Sequence, residues 1–188
     1  MTLARFIGPI AIVLTALVLS GCSSSSPTNP ESDDSVVVNL THLPGSSDEV
    51  ADGTVLVDQW ASIGILFDAE PDGVDLIKMG YGSTTGCIFF SPDVEHAVAV
   101  FHFVEPGTMN PVDITAFELN PWFNPGESAE LVGLDEVGAE TVIDSIVPDD
   151  IGSESKSIKM SIHGSFRVVQ WRTHGNPGIA AGELKFEF

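Results

Sequence analysis

The stretch Glu95-His-Ala-Val-Ala-Val-Phe-His-Phe-Val104 alternates regularly between two sets of side chains. The first set is Ala97, Ala99, Phe101 and Phe103, and the second is His96, Val98, Val100, His102 and Val104. Because successive side chains of an extended strand point to opposite faces, each set occupies one face of a predicted β-strand. Both faces are largely apolar, which indicates a central strand of a layered sheet.

Further runs rich in β-branched and aromatic residues lie on both sides of this stretch. They are Val36–Leu40, Thr54–Gln59, Gly64–Phe67, Gly86–Phe90, Val112–Leu119, Ala129–Asp135, Glu140–Val147, Ser157–His163, Phe166–Arg172 and Gly182–Phe188. Turn sequences such as Asn124-Pro-Gly126 punctuate them. A parallel sheet would need helices in the connections, which are too short. The pattern predicts an all-β fold, an antiparallel β-sandwich or jelly roll, as a single domain over residues 36–188.

Residues 1–21 are interpreted as a bacterial lipoprotein signal peptide. Arg5 precedes an apolar run from Phe6 to Val18, about 13 residues long, which is the length of a secretory signal core and too short for a membrane span. The following Leu19-Ser-Gly-Cys22 resembles the bacterial lipobox. The resemblance implies cleavage before Cys22 and fatty acylation of that cysteine, including palmitate. An ordinary signal peptide with a nearby cysteine is the alternative.

Residues 22–35 form a predicted lipidated, disordered tether. From Ser23 to Ser35 the chain is Ser, Pro, Thr, Asn, Asp and Glu without a large apolar residue. Such a segment cannot bury enough surface to offset its ordering entropy. In lipoproteins, serine rather than aspartate after the cysteine tends to permit transfer to an outer membrane. We therefore expect a lipid-anchored protein of the bacterial cell envelope, on the periplasmic or surface face of the outer membrane.

The chain is strongly acidic, with a formal net charge of −20, and loss of Arg5 with the signal makes it one unit more negative. Such a body repels polyanions, so nucleic acid is not an expected partner. If Cys22 carries lipid, Cys87 has no cysteine left with which to form an internal disulfide. Its apolar surroundings in sequence predict a buried, inert thiol.

A family resemblance rests on Val57-Asp-Gln-Trp-Ala-Ser-Ile-Gly-Ile-Leu-Phe67. This segment is similar to the signature "D-Q-aromatic-x-x-x-G-(I/V)-x-F" of exported bacterial domains, the galactose-binding-like β-sandwiches found on lipoproteins and PEP-CTERM-sorted proteins. The hairpin from Ile114 to Asp135 and the closing strands match later landmarks. Gly182-Glu183 stands where an aspartate is usual. The resemblance covers roughly residues 50–188 and implies the fold more than a function.

Four carboxylates, Asp68, Glu70, Asp72 and Asp75, follow a predicted strand at short intervals with a glycine among them. Oxygen ligands before a sharp glycine bend are typical of the start of a calcium loop. Met79 stands where an EF-hand has its last glutamate, so that specific motif fails. The two interpretations are a structural calcium site and a solvated acidic turn.

Residues 120–126, Asn-Pro-Trp-Phe-Asn-Pro-Gly, are predicted to be a loop because proline and glycine are disfavoured in strands. Trp122 and Phe123 would then form an aromatic platform for a sugar ring, with Asn120 and Asn124 binding hydroxyls. In the alternative, both rings fold back and plug the end of the sandwich. Trp60 and Trp171 lie in strand-like runs and are expected in the core.

No catalytic constellation stands out. His96 and His102 share a strand face but are about 20 Å apart along an extended chain, too far to hold one ion. No serine lies in a nucleophile-elbow motif. The favoured hypothesis is a non-enzymatic, lipid-anchored module that binds a carbohydrate or another surface ligand. The alternatives are a structural or interaction subunit of an envelope complex and, less favoured, a hydrolase.

Overall fold

The computed structural model describes residues 35–80, 86–91, 96–174 and 180–188. The predicted signal peptide, Cys22 and residues 22–34 of the predicted tether lie outside these residues. The described part contains a 3-10 helix at Ala61–Ile63, a short α-helix α1 at Pro148–Ile151 and twelve strands. The strands are β1 (Ser35–Val37), β2 (Ile65–Glu70), β3 (Asp75–Met79), β4 (Cys87–Ser91), β5 (His96–Phe103), β6 (Ile114–Phe123), β7 (Ser128–Leu134), β8 (Glu140–Ile146), β9 (Lys156–Ser157), β10 (Met160–Phe166), β11 (Val168–His174) and β12 (Ala180–Glu187). Neither described helix is long and apolar enough to span a bilayer.

The strands form two antiparallel sheets. In the described residues, the seven-stranded sheet has the order β10-β6-β12-β4-β3, with β1 paired to β12 and β9 paired to β6. The five-stranded sheet has the order β2-β5-β11-β7-β8. The inner faces of the two sheets share one apolar core. The predicted antiparallel β-sandwich is confirmed.

The strand β5 has the place that its sequence predicts. It pairs with β2 on one side and β11 on the other, so it lies inside the five-stranded sheet. Ala97, Ala99, Phe101 and Phe103 are buried in the core, and the Phe101 ring lies 5.1 Å from that of Phe117 on the facing sheet. Trp60 and Trp171 are also fully buried, as predicted.

The prediction of a strand at Thr54–Gln59 is wrong. The Gln59 side chain folds back, accepting a hydrogen bond from the Val57 N–H (2.7 Å) and donating one to the Val55 carbonyl (2.8 Å). These local bonds compete with a strand ladder. The segment instead bridges the two sheets, because Leu56 N–H donates to Leu76 of β3 and Phe67 N–H of β2 donates to Val57.

The glycine of the Val57–Phe67 motif has a steric role. Gly64 ends the 3-10 helix with φ of +97°, a conformation that L side chains rarely adopt. A Cβ atom there would lie 2.9 Å from the Val104 carbonyl oxygen and 2.5 Å from the Phe188 ring. Gly64 leaves room for the Val104 carbonyl and the Phe188 ring, and Trp60 is buried in the core. Both conspicuous residues of the motif therefore have packing roles.

The prediction of a loop at residues 120–126 is also wrong in its first half, because β6 continues to Phe123. Pro121 lacks an N–H for the ladder, but its carbonyl accepts a hydrogen bond from Ile158 N–H at 3.1 Å. On the other side, the register with β12 shifts between Ala181 and Leu184. Proline is tolerated in a sheet at such an irregularity.

An ion pair lies at the β3 edge of the seven-stranded sheet. Lys78 is only 4% exposed, and its Nζ lies 2.7 Å from Oδ1 of Asp52. The hydrogen bond from Lys78 lowers the pKa of Asp52 below its ordinary value of 3.8, with burial acting in the opposite direction. The pair therefore contributes stability when Asp52 is ionised.

Candidate functional site

Trp122 and Phe123 lie on opposite sides of the seven-stranded sheet. Phe123 is fully buried in the core, whereas Trp122 is 48% exposed on the outer face. Both sequence interpretations treated the two rings alike, as an exposed pair or as a buried pair. The structure separates them because they are neighbours in a strand, where successive side chains alternate.

Polar groups next to Trp122 come from a distant part of the chain. Ser157 on β9 pairs directly with Trp122, and its hydroxyl donates to Oδ1 of Asn120 at 2.6 Å. Asn120 is on the same face as Trp122, two residues earlier on β6. An aromatic ring, a hydroxyl and a carboxamide therefore share one surface.

The same outer face continues along β6 to Glu118. Its Oε1 lies 2.7 Å from Nζ of Lys159, and the neighbouring Lys185 on β12 lies 3.8 Å from Glu187. At about 3.3 Å per strand residue, Glu118 to Trp122 spans about 13 Å. We call this surface of Trp122, Asn120, Ser157, Glu118 and Lys159 the Trp122 face.

Asn124 belongs to the turn after β6. Its backbone N–H and its Nδ2 donate to the two carboxylate oxygens of the buried Glu127, at 2.6 and 3.0 Å. Its Oδ1 accepts a hydrogen bond from the Ser155 hydroxyl at 2.9 Å. These bonds fix the turn, so Asn124 supports the end of β6, whereas Asn120 faces outward.

The four predicted calcium ligands are spread over three elements. Asp68 and Glu70 are exposed residues of β2, Asp72 is in the following turn, and Asp75 begins β3. Asp68 also accepts a hydrogen bond from the Ala69 N–H at 2.8 Å. In the described residues, no three histidine, cysteine or carboxylate side chains come together closely enough to hold a metal ion. A calcium site at these residues stays a prediction.

The outer face of the five-stranded sheet carries a polar group that the sequence did not reveal. Gln170 on β11 pairs with Val100 of β5 and Val132 of β7, and both valines are buried outside the main core. Arg172 donates to Oε1 of Gln170 from Nε (3.0 Å) and Nη2 (2.7 Å). Its Nη1 lies 2.7 Å from Glu140. We call this surface the Gln170 face.

Two histidines meet on that sheet, although not the two that share a strand. His96 on β5 pairs with His174 on β11, and their ring centroids are 5.5 Å apart. His102 lies at the other end of β5. The sequence could not indicate the His96–His174 pair, because it depends on the register between strands. Cys87, as predicted, is buried.

Comparison with known proteins yields distant structural likenesses. No protein-family model matches the chain, and no curated protein is significantly similar to it. Among solved structures, the arabinose-bound α-L-arabinofuranosidase MgGH51 has a TM-score of 0.46 and 10% identity, over 73% of this chain and 24% of that one. The chain thus spans about a quarter of that enzyme.

Two smaller proteins are covered more fully. The K2 cleaved adhesin domain of Lys-gingipain has a TM-score of 0.42 and 11% identity, over 65% of this chain and 88% of that one. A family 29 carbohydrate-binding module has a TM-score of 0.36 and 16% identity, over 81% of this chain and 86% of that one. These values are too low to carry an argument about function, which has to come from the residues themselves.

Proposed function

We propose that this chain is a non-enzymatic module that binds a glycan on the Trp122 face and is anchored to the bacterial cell envelope by lipid on Cys22. The observation that carries the binding half is the half-exposed indole of Trp122 on strand β6. Its neighbour Phe123 fills the core, so the strand itself holds the Trp122 ring toward solvent.

The chemistry of the Trp122 face suits a sugar. The apolar C–H face of a sugar ring stacks on an aromatic ring, and the surrounding hydroxyls need hydrogen-bonding groups. Ser157 and Asn120 offer a hydroxyl and a carboxamide near the ring, and the Glu118–Lys159 pair offers charged groups further along. A span of about 13 Å accommodates more than one sugar unit.

The rigidity of the platform favours binding. β6 is hydrogen-bonded to β10 and β9 on one side and to β12 on the other. Two hydrogen bonds from Asn124 to Glu127 fix the turn that follows β6. A ligand site on a fixed strand loses little conformational entropy on binding, so more of the stacking energy is retained as affinity.

The anchoring half rests on the sequence around Cys22. Two or three fatty chains at the new N-terminus hold a protein stably on a bilayer, because each buried methylene contributes about 0.8 kcal/mol. Residues 23–34 would then be a flexible tether with a root-mean-square end-to-end distance of about 20 Å. This arrangement would hold an acidic β-sandwich close to the outer membrane.

The binding half is tested with the full chain, purified in mild detergent and applied to an array of cell-wall and environmental polysaccharides. The array is run with calcium and with a chelator, which also tests the predicted calcium loop. Saturable binding to a defined glycan class supports the proposal. Flat responses under both conditions contradict it.

The anchoring half is tested independently with Cys22→Ser in the full chain. The parent should incorporate radiolabelled palmitate and partition into the membrane fraction. The variant should lose the label and remain unprocessed. A variant that is processed and fractionates like the parent would contradict lipid anchoring and leave the glycan proposal unaffected.

A further inference from the structure

A groove lies along the edge of the sandwich where β2 of one sheet and β3 of the other are bridged by residues 54–59. It encloses about 380 Å³ and is lined by Val55, Val57 and Met109 and by Asp58, Asp68 and Asp75. We call it the β2 groove. Its floor includes Leu56 and Leu76, both buried.

Solvent-exposed apolar side chains converge on this groove. Val55, Val57 and Met109 are 38%, 50% and 63% exposed, and they come from two separate stretches of the chain. Single exposed apolar residues are normal on a protein surface, but a cluster of them around a concave site marks an interaction surface. The β2 groove therefore has the apolar part of a recognition site.

The rim of the groove is acidic. Asp58, Asp68 and Asp75 are exposed, and the described residues place no lysine or arginine within ion-pair distance of any of the three. The residues that line the groove include His102 but no lysine or arginine. With a net charge of −20 on the whole chain, the local field attracts cations and repels anions.

The backbone at the groove is already hydrogen-bonded. Phe67 N–H on the open side of β2 donates to Val57, and Leu56 N–H donates to Leu76, each at 2.8 Å. An incoming chain therefore cannot extend the sheet at these positions. Recognition here has to use side chains, through apolar contact with the floor and charge pairing with the rim.

We propose that the β2 groove binds a segment of a partner polypeptide in which lysine or arginine side chains flank aliphatic ones. The aliphatic side chains contact Val55, Val57 and Met109, while the basic groups pair with Asp58, Asp68 and Asp75. Charge complementarity sets the on-rate and the choice of partner. The groove uses none of the residues of the Trp122 face, so this inference does not depend on the glycan proposal.

The test uses three fluorescein-labelled synthetic peptides with the full chain in mild detergent, monitored by fluorescence anisotropy at physiological salt. The peptides have alternating Lys-Leu, Lys-Ser and Glu-Leu sequences of equal length. The Lys-Leu peptide should bind at least about tenfold more tightly than either of the others, since only it matches both the rim and the floor.

Matched variants locate the binding. Val57→Ser and Asp75→Asn alter the groove, while Val137→Ser and Asp149→Asn make the same changes at exposed residues outside it. We expect the groove variants to weaken Lys-Leu binding by about five- to tenfold and the control variants to leave it unchanged. Thermal melting checks that all four fold.

Three outcomes would overturn the proposal. Lack of binding by the Lys-Leu peptide excludes this class of ligand. Equal binding of Lys-Ser shows that general attraction to an acidic protein is sufficient. Equal losses from Asp75→Asn and Asp149→Asn, or from Val57→Ser and Val137→Ser, show that the peptide binds elsewhere.

Discussion

The outer faces of the two sheets differ in the solvent exposure of their apolar side chains. On the Gln170 face, Val100 and Val132 are buried on either side of Gln170, which Arg172 and Glu140 hold in place. On the Trp122 face, the tryptophan ring is about half exposed to solvent beside polar groups. Both faces combine polar and apolar residues, so composition alone does not distinguish them.

The comparison shows how a structural face differs from a candidate binding face. On the Gln170 face, the polar side chains are hydrogen-bonded or ion-paired with one another beside buried valines. They stabilise the sheet and leave few hydrogen-bonding groups for a ligand. An exposed ring on a rigid strand keeps its surface for another molecule. We therefore expect changes on the Gln170 face to lower stability and changes on the Trp122 face to lower glycan affinity.

The largest expected effect comes from placing a charge at Val132, beside Gln170 on the neighbouring strand. Val132→Asp buries a carboxylate at a site that is 0% exposed, which should lower the free energy of unfolding by at least about 3 kcal/mol. Its paired residue on β8, Ile143, is 51% exposed and provides the control. Ile143→Asp should lower the free energy of unfolding by only about 1 kcal/mol in urea unfolding, because half of the isoleucine side chain is already exposed. Equal losses of stability in the two variants would contradict the assignment of Val132 as a buried residue that stabilises the sheet.

The next effect should appear on the Trp122 face. Trp122→Ala removes the stacking surface and should weaken binding of the glycan selected on the array by about thirtyfold, which corresponds to about 2 kcal/mol. Stability should fall by only about 1 kcal/mol, because half of the side chain is already exposed. Trp122→Phe should retain part of the affinity.

The control for that variant is Met79→Ala, an exposed apolar residue three strands away on the same sheet. Calorimetric titration should show unchanged affinity for this variant. Unchanged affinity in Trp122→Ala, or an equal loss in Met79→Ala, would break the proposed difference between the two faces.

A smaller effect should follow from releasing Gln170. Arg172→Ala removes two hydrogen bonds to Gln170 and the ion pair with Glu140, and should lower the free energy of unfolding by about 1 kcal/mol. Glycan affinity should not change, because the residue is on the other sheet. Loss of affinity with intact stability would assign the ligand site to the Gln170 face instead.

The smallest effect concerns pH and the ion pair beside β3. Because the pKa of Asp52 is lowered in the folded state, its stabilising effect is present above the ordinary value of 3.8 and is lost as the pH falls through the lowered value. Asp52→Asn should therefore be less stable than the parent at pH 7, with the difference disappearing in acid. Urea midpoints measured from pH 7 to pH 2 check this. A difference that grows in acid would contradict the assigned shift.

Much of the fold could be predicted from the sequence, because strand alternation depends on neighbouring residues alone. The two faces of β5 and the burial of Trp171 follow from that pattern, whereas Trp60 is buried from a turn before the 3-10 helix. The strand prediction failed at Thr54–Gln59, because the Gln59 side chain takes the place of a neighbouring strand in hydrogen bonds to the backbone. Pro121 led to the opposite error, a loop predicted where β6 continues, because a register shift on β12 accommodates the proline.

The candidate site could be predicted only in part. Trp122 and Asn120 stand close together in sequence, and both were identified there as ligand candidates. Ser157 and Lys159 are more than thirty residues away, and they reach the Trp122 face only because β9 and β10 pair with β6. The same limit applies to Gln170, whose buried neighbours are on two other strands. Partners across strands depend on register, which no single segment encodes.

The most direct test of the central claim uses tryptophan fluorescence. The chain has three tryptophans, and Trp60 and Trp171 are fully buried, so acrylamide should quench mainly Trp122. Quenching is measured in the full chain with and without a saturating amount of the glycan selected on the array. We expect bound glycan to protect Trp122 and to reduce the quenching constant severalfold. Unchanged quenching while calorimetry shows the glycan bound would contradict it.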